Sequence, residues 1–119
     1  MQKFFSKKPS LEEFVETYKR LMLDDLEKVK QEEEFSQMEK DAIEAERHLS
    51  FVVLKVLLEA DNNLSLEEFV RAYEKQMCEN FEKVMQDDDI SQARKDIIDD
   101  ERRLSFEVLE ELLADAEEN

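Results

Sequence analysis

An internal repeat constrains this sequence more than any other feature. The segment Ser10–Val15 recurs as Ser65–Val70, and a shift of 55 residues aligns positions 10–58 with 65–113 without a gap. Of those 49 positions, 26 are identical. Two copies of one sequence are expected to share one local fold. We therefore predict a short basic N-terminal tail, residues 1–9, followed by a single helical domain, residues 10–119, made of repeat 1 (10–64) and repeat 2 (65–119).

Apolar residues in each repeat recur at the three- and four-residue spacing of an amphipathic helix. Each periodic segment follows a serine that can act as an N-cap, because its hydroxyl can accept a hydrogen bond from a backbone N–H of the first turn. A glutamate three residues after the serine completes a capping box in three of the four segments. The serines are Ser10, Ser36, Ser65 and Ser91. These patterns predict helices over residues 10–32, 36–60, 65–87 and 91–117.

The short joints between these segments predict the architecture. Connections of three or four residues force consecutive helices to lie antiparallel, so each repeat should be a helical hairpin. We predict an all-α fold, an antiparallel four-helix bundle built from two tandem helical hairpins. Asn62 or Asn63 is expected to provide a left-handed residue after the second helix. The sequence leaves open whether the second and fourth helices break at Ser50 and Ser105, since either serine could be an N-cap. It also leaves open whether the protein is a monomer or a homodimer.

Composition excludes several function classes. The chain has no glycine, which excludes the phosphate-binding loops and nucleophile elbows that require this residue. It has one cysteine and one histidine. Cys78 aligns with Leu23, which predicts a buried or half-buried position, and His48 aligns with Arg103, which predicts a place on the helix surface. We expect no enzyme activity, no cofactor and no metal site. Without a run of about 20 apolar residues or a secretory signal, a cytoplasmic protein is expected.

Charge is the strongest hint about partners. Acidic residues outnumber basic ones 33 to 17, which gives a net charge of −16, and repeat 2 is the more acidic copy. This charge argues against direct binding to nucleic acid or to an anionic membrane. It favours a binding protein that docks on a basic surface of a partner protein, as a nucleic-acid-mimicking inhibitor or an immunity-type protein. The carboxylates expected to form this acidic face are Asp87, Asp88, Asp89, Asp99, Asp100, Glu107, Glu110 and Glu111.

The two repeats differ in a way that suggests an alternative. Val52 and Val56 correspond to Glu107 and Glu111, so the second helix has an extra apolar strip. One interpretation is that this helix is more central and buries both valines. The other is an exposed apolar groove used by a helical adaptor or assembly chaperone, with the charge serving solubility only. That partner or dimer face would comprise Phe51, Val52, Lys55, Val56 and Glu59.

Overall fold

Four helices form the protein, as the sequence predicts. The computed structural model describes residues 4–61 and 63–118. Within these residues the helices are α1 (Leu11–Gln31), α2 (Gln37–Ala60), α3 (Leu66–Gln86) and α4 (Gln92–Glu117). Each predicted boundary lies within one residue of the observed one. The prediction of an all-α four-helix bundle is confirmed, and none of the described helices is long and apolar enough to cross a membrane.

Serine caps begin all four helices. The hydroxyls of Ser36 and Ser65 accept from the backbone N–H three residues later, and Glu39 and Glu68 bond back to the serine N–H groups, which completes both capping boxes. At Ser10 the described bond is the hydroxyl half alone. Each hairpin turn is closed in the same way, because a lysine of the second helix donates to a carbonyl at the end of the first. Lys40 Nζ reaches Lys30 O at 2.8 Å, and Lys95 Nζ reaches Met85 O at 3.0 Å.

The structure decides one local question that the sequence left open and tests part of another expectation. α2 and α4 continue through Ser50 and Ser105 without a break, because both serines turn inward and find hydroxyl partners in the core. No described residue has a positive φ, so Asn63 is not left-handed, and Asn62 lies outside the described residues. Instead the side chain of Asp61 accepts from Asn63 N at 2.9 Å, and Asp87 accepts from Asp89 N at the same distance. These Asx turns supply the tight bend without glycine.

The four helices occupy the corners of a flattened diamond, which gives the molecule dimensions of 42 × 30 × 21 Å. α2 and α4 run in the same direction and pack against each other across the short diagonal, whereas α1 and α3 barely meet. Equivalent residues of the two repeats fill the centre of the core. These pairs are Phe14 and Phe69, Val15 and Val70, Tyr18 and Tyr73, and Leu54 and Leu109.

The N-terminal segment is folded onto the bundle. The backbone N–H groups of Phe4 and Phe5 donate to the same carboxylate oxygen of Asp115, at 2.9 and 3.0 Å. Phe5 is buried and its ring stacks on Phe14, with 6.0 Å between the ring centroids. Phe4 and Phe5 of the predicted tail therefore pack on the bundle at the end of α4, whereas Lys7 and Lys8 are exposed.

Candidate functional site

The centre of the bundle holds a closed ring of four hydroxyl groups. Tyr18 and Tyr73 alternate with Ser50 and Ser105, and the four oxygen–oxygen distances are 2.9, 2.6, 2.7 and 2.6 Å. Four hydroxyls carry four protons, so all four bonds form if every group donates once and accepts once. Burial raises the pKa of both tyrosines, and the hydrogen bonds from the serines only partly oppose it. The phenols are therefore held neutral.

One turn along α2, a buried arginine crosses the interior. Arg47 donates from Nε to Glu101 at 2.9 Å, from Nη1 to the Met22 carbonyl at 2.9 Å, and its Nη2 lies 2.9 Å from Asp25. Burial alone would lower the pKa of Arg47, but the hydrogen bonds and charges of Glu101 and Asp25 outweigh it and raise the pKa. This side chain therefore joins α1, α2 and α4 through charged contacts.

The equivalent arginine of repeat 2 is placed differently. Arg102 pairs with Asp99 on its own helix at 2.7 Å and lies over the Phe81 ring, 4.6 Å from its centroid. Its Nε atom is buried and has no hydrogen-bond partner among the described residues. Glu46 lines a small cavity that also borders Arg47 and Arg102. Burial, and after it the negative charge of Glu101, raises the pKa of Glu46.

This polar interior has the residue types of a catalytic cluster, but it has no room for a substrate. The cavity between the two tyrosines, the two serines and the two arginines has a volume of about 10 Å³. One water molecule needs roughly that much. The cluster therefore has room for a single solvent molecule and for no substrate.

The eight carboxylates of the expected acidic face do not form one patch. Asp99 is held by Arg102 and by Arg103, at 2.7 and 3.2 Å, and Glu110 is paired with Arg71. The Arg71 guanidinium holds the pKa of Glu110 below its usual range. Both carboxylates are already neutralised within the chain. The remaining members are exposed and fall into two groups, the α3–α4 turn with Asp87, Asp88 and Asp89, and the outer face of α4 with Asp100, Glu107 and Glu111.

The outer face of α4 carries a line of exposed carboxylates that we name the acidic row. Its members are Asp96, Asp100, Glu107 and Glu111, and all four are exposed. Their spacing of four, seven and four residues places them on one side of the helix over about 22 Å. None of the four forms an ion pair with a cation in the described ranges 4–61 and 63–118. The exposed Arg103 lies between Asp100 and Glu107 on the same face but pairs with Asp99 at 3.2 Å, so the row keeps an excess of negative charge. Asp96 was not among the predicted residues, although its helical spacing from Asp100 is visible in the sequence.

At the four positions of α2 that are equivalent to the acidic row, three residues are apolar. We name Met38, Ala45, Leu49, Val52 and Val56 the apolar stripe, and all five are exposed. The interpretation that the two valines are buried is wrong, because Val52 is 56% and Val56 58% exposed on the side of α2 that faces away from the core. They form a convex helix face rather than a groove. Lys55 and Glu59 are exposed beside it, whereas Phe51 turns toward α1 and packs edge-on against Tyr18.

A groove does exist elsewhere, between α1 and α4. It has a volume of about 260 Å³ and a mostly apolar lining. Asp25 and Glu111 contribute carboxylates to its walls, and the Glu111 carboxylate also belongs to the acidic row. The lining residues are Phe4, Leu21, Met22, Asp25, Leu104, Val108, Glu111 and Leu112. The apolar lining of this groove thus lies directly beside the acidic row of α4.

The single histidine and the single cysteine are both on the surface. His48 is 63% exposed in its side chain and lies 3.8 Å from Glu44, as expected for a helix-surface residue. The expectation of a buried or half-buried Cys78 is wrong, because this thiol is exposed. Among the residues the structure describes, no three His, Cys, Asp or Glu side chains are grouped as the ligands of a metal ion would be.

Comparison with protein-family models, with curated proteins and with solved structures finds no match to this chain. What the acidic row, the apolar stripe and the groove bind is therefore inferred from their own geometry and charge.

Proposed function

We propose that this protein is a binding protein without enzymatic activity, whose acidic row docks on a basic surface of a partner protein. The supporting observation is that the row is exposed and forms no ion pair with any residue the structure describes, whereas the equivalent positions of α2 carry alanine and valine at three of four places. Carboxylates held on a rigid helix lose little conformational freedom on binding, so their charge is available for recognition.

The partner surface would be one that ordinarily binds nucleic acid. Along the row, carboxylates are separated by about 6 to 10 Å of helix axis, a spacing that a lysine- or arginine-rich groove can follow. Uncompensated charge in a line also attracts a basic partner over a distance of about one Debye length, which speeds association at low salt. The function proposed is thus inhibition of a nucleic-acid-binding protein, or neutralisation of a basic toxin, by occupation of its basic groove.

The experiment compares two triple variants that remove the same charge. The row variant is Asp100→Asn/Glu107→Gln/Glu111→Gln. The control, Glu27→Gln/Glu79→Gln/Glu82→Gln, neutralises three exposed acids of α1 and α3 that form no ion pair among the described residues. Each protein is used to capture partners from lysate at low and at high salt, and duplex DNA is added as a competitor.

We expect the wild type and the control to retain basic, nucleic-acid-binding proteins at low salt and to release them with salt or DNA. The row variant should retain at least about tenfold less, because charge complementarity is lost where contact is made. If such proteins are not enriched, or if both variants lose them equally, the acidic row is not the docking surface.

The exposure of Val52 and Val56 favours a second candidate, an adaptor that binds an apolar partner through the stripe. Contiguous exposed apolar residues on one helix face are typical of protein–protein contact surfaces. Under this alternative, binding is insensitive to salt and is abolished by Val52→Glu, which copies the residue of α4. Binding that depends on salt and survives Val52→Glu excludes it.

A further inference from the structure

We infer that the groove between α1 and α4 is an anchor pocket that takes one large apolar side chain from the basic segment docked on the acidic row. This inference rests on the proposed function and adds the chemistry of the ligand, a lysine- or arginine-rich segment that also carries an aromatic or large aliphatic residue.

The size of the groove favours a side chain over a free small molecule. Pockets for small ligands usually measure about 300 to 1,000 Å³, and this groove measures about 260 Å³. Its floor is formed by Leu21, Leu104 and Val108, all half-buried, so a side chain lying on it would complete their removal from water. The backbones of α1 and α4 also approach each other closely over a shorter stretch than those of the other neighbouring helices described.

The charges around the groove specify the rest of the ligand. Glu111 makes no ion pair in the described part of the chain, and the Asp25 side chain is 51% exposed even though it contacts Arg47. A residue seated on the floor would hold its neighbours near these two carboxylates. Cationic neighbours are stabilised there and anionic neighbours are repelled, so the anchor must lie within a basic segment.

The chain itself shows what kind of segment this seam accepts. Phe4 lines one end of the groove, and the following Phe5 is buried beside it. Both are held by Asp115, and the segment that carries them is basic, with Lys7 and Lys8 close behind and exposed. An aromatic residue from a basic stretch of this chain therefore already lines the groove, beside the apolar residues and the two carboxylates that the ligand would meet.

The repeat relationship provides variants designed to preserve the fold. Leu21→Gln removes part of the apolar floor, and glutamine is the residue that repeat 2 carries at the same position, as Gln76. The matched control is Gln76→Leu on α3. A second variant, Val108→Phe, fills the groove from within. Circular dichroism and urea unfolding establish that each protein is folded before binding is measured.

The probes are two synthetic peptides of lysines, one with a single central phenylalanine and the other with alanine in its place. Binding to the full chain is measured by calorimetry at low and at physiological salt. We expect the phenylalanine peptide to bind the wild type and Gln76→Leu at least about tenfold more tightly, as burial of a phenylalanine side chain requires. The preference should fall to less than about threefold in Leu21→Gln and in Val108→Phe.

The outcomes separate this inference from the function on which it rests. Equal, salt-sensitive binding of both peptides overturns the anchor pocket and leaves the acidic docking face intact. A preference that persists in both groove variants also overturns it, because the phenylalanine then binds elsewhere, for example on the apolar stripe. Absence of salt-sensitive binding by either peptide overturns the proposed function itself. Dimerisation of the wild type that Leu21→Gln abolishes, measured by light scattering, would make a second copy of this chain the occupant instead.

Discussion

Alkaline pH should unfold this protein through its two tyrosines. The chain has two tyrosine residues, and both belong to the hydroxyl ring at the centre of the bundle. Burial raises the pKa of Tyr18 and of Tyr73 above the usual value of 10.0. The neutral phenol is therefore favoured in the folded state, and its contribution to stability is fully present below pH 10 and lost as the pH rises toward the folded-state pKa.

The size of the effect follows from the number of rings that must ionise. For each pH unit between the unfolded and the folded pKa, one tyrosine destabilises the fold by about 1.4 kcal/mol. If both phenols ionise only on unfolding, the two tyrosines together remove about 5.5 kcal/mol at pH 12, which is comparable to the whole stability of many domains, roughly 5 to 15 kcal/mol. The buried ring disfavours a phenolate because burial removes water from the charge, and the hydrogen bonds from the serines only partly compensate for that loss.

The assay follows phenolate absorbance and helical circular dichroism in the same sample as the pH is raised. Since the sequence has two tyrosines and no tryptophan, the absorbance change on phenol ionisation belongs to these two residues. We expect phenolate to appear together with the loss of helix, and above pH 10. The variant Tyr18→Phe/Tyr73→Phe is the control, because lysine titration is unchanged while phenol titration is removed, and its unfolding should move to higher pH. Phenolate that appears near pH 10 in a fully helical protein would refute the buried ring.

Two substitutions test the polar core separately. Ser50→Ala leaves the hydroxyls of Tyr18 and Tyr73 with one partner fewer each, so the free energy of unfolding in urea should fall by about 1–3 kcal/mol, and an unchanged midpoint would contradict the ring. Arg47→Met leaves the Glu101 carboxylate buried without its cation, which should destabilise the fold by about 3–5 kcal/mol. The control is Arg103→Met, at a residue whose side chain is 71% exposed, and it should shift the free energy of unfolding by less than about 0.5 kcal/mol. Equal effects of the two substitutions would contradict the role of Arg47 as a buried ion-pair partner.

The features that sequence reasoning predicted well are those encoded locally. Helix boundaries follow from serine caps and from apolar spacing within one turn, so all four helices were predicted within one residue. The pairing of Asp99 with Arg102 and Arg103 was equally readable, since residues three and four apart are neighbours on a helix. The neutralisation of Glu110 could not be predicted from the sequence, because Arg71 lies 39 residues away and only the packing of α3 on α4 brings the two side chains together.

The hydroxyl ring was missed because each of its members has an ordinary local explanation. Tyr18 and Tyr73 fit the apolar spacing of their helices, and Ser50 and Ser105 match the pattern of an N-cap. One signal was available, since Tyr18 and Ser50 are identical to their equivalents Tyr73 and Ser105, whereas many exposed positions differ between the repeats. Of the two interpretations of Val52 and Val56, the buried one was wrong. Valine favours burial, and only the rotation of α2 about its axis decides which way a residue faces.

The relation between α2 and α4 explains why the repeats diverge where they do. The two helices pack together through their inward faces, where Ser50 and Ser105 share the ring, so a change there would disturb both repeats at once. The acidic row and the apolar stripe are exposed, which leaves each face freer to change alone. Valine on one face and glutamate on the other therefore give this duplicated fold two chemically different sides. A basic partner on the acidic row would leave the apolar stripe uncovered, so substitutions on the two sides act on separate surfaces and distinguish the two proposed modes of binding.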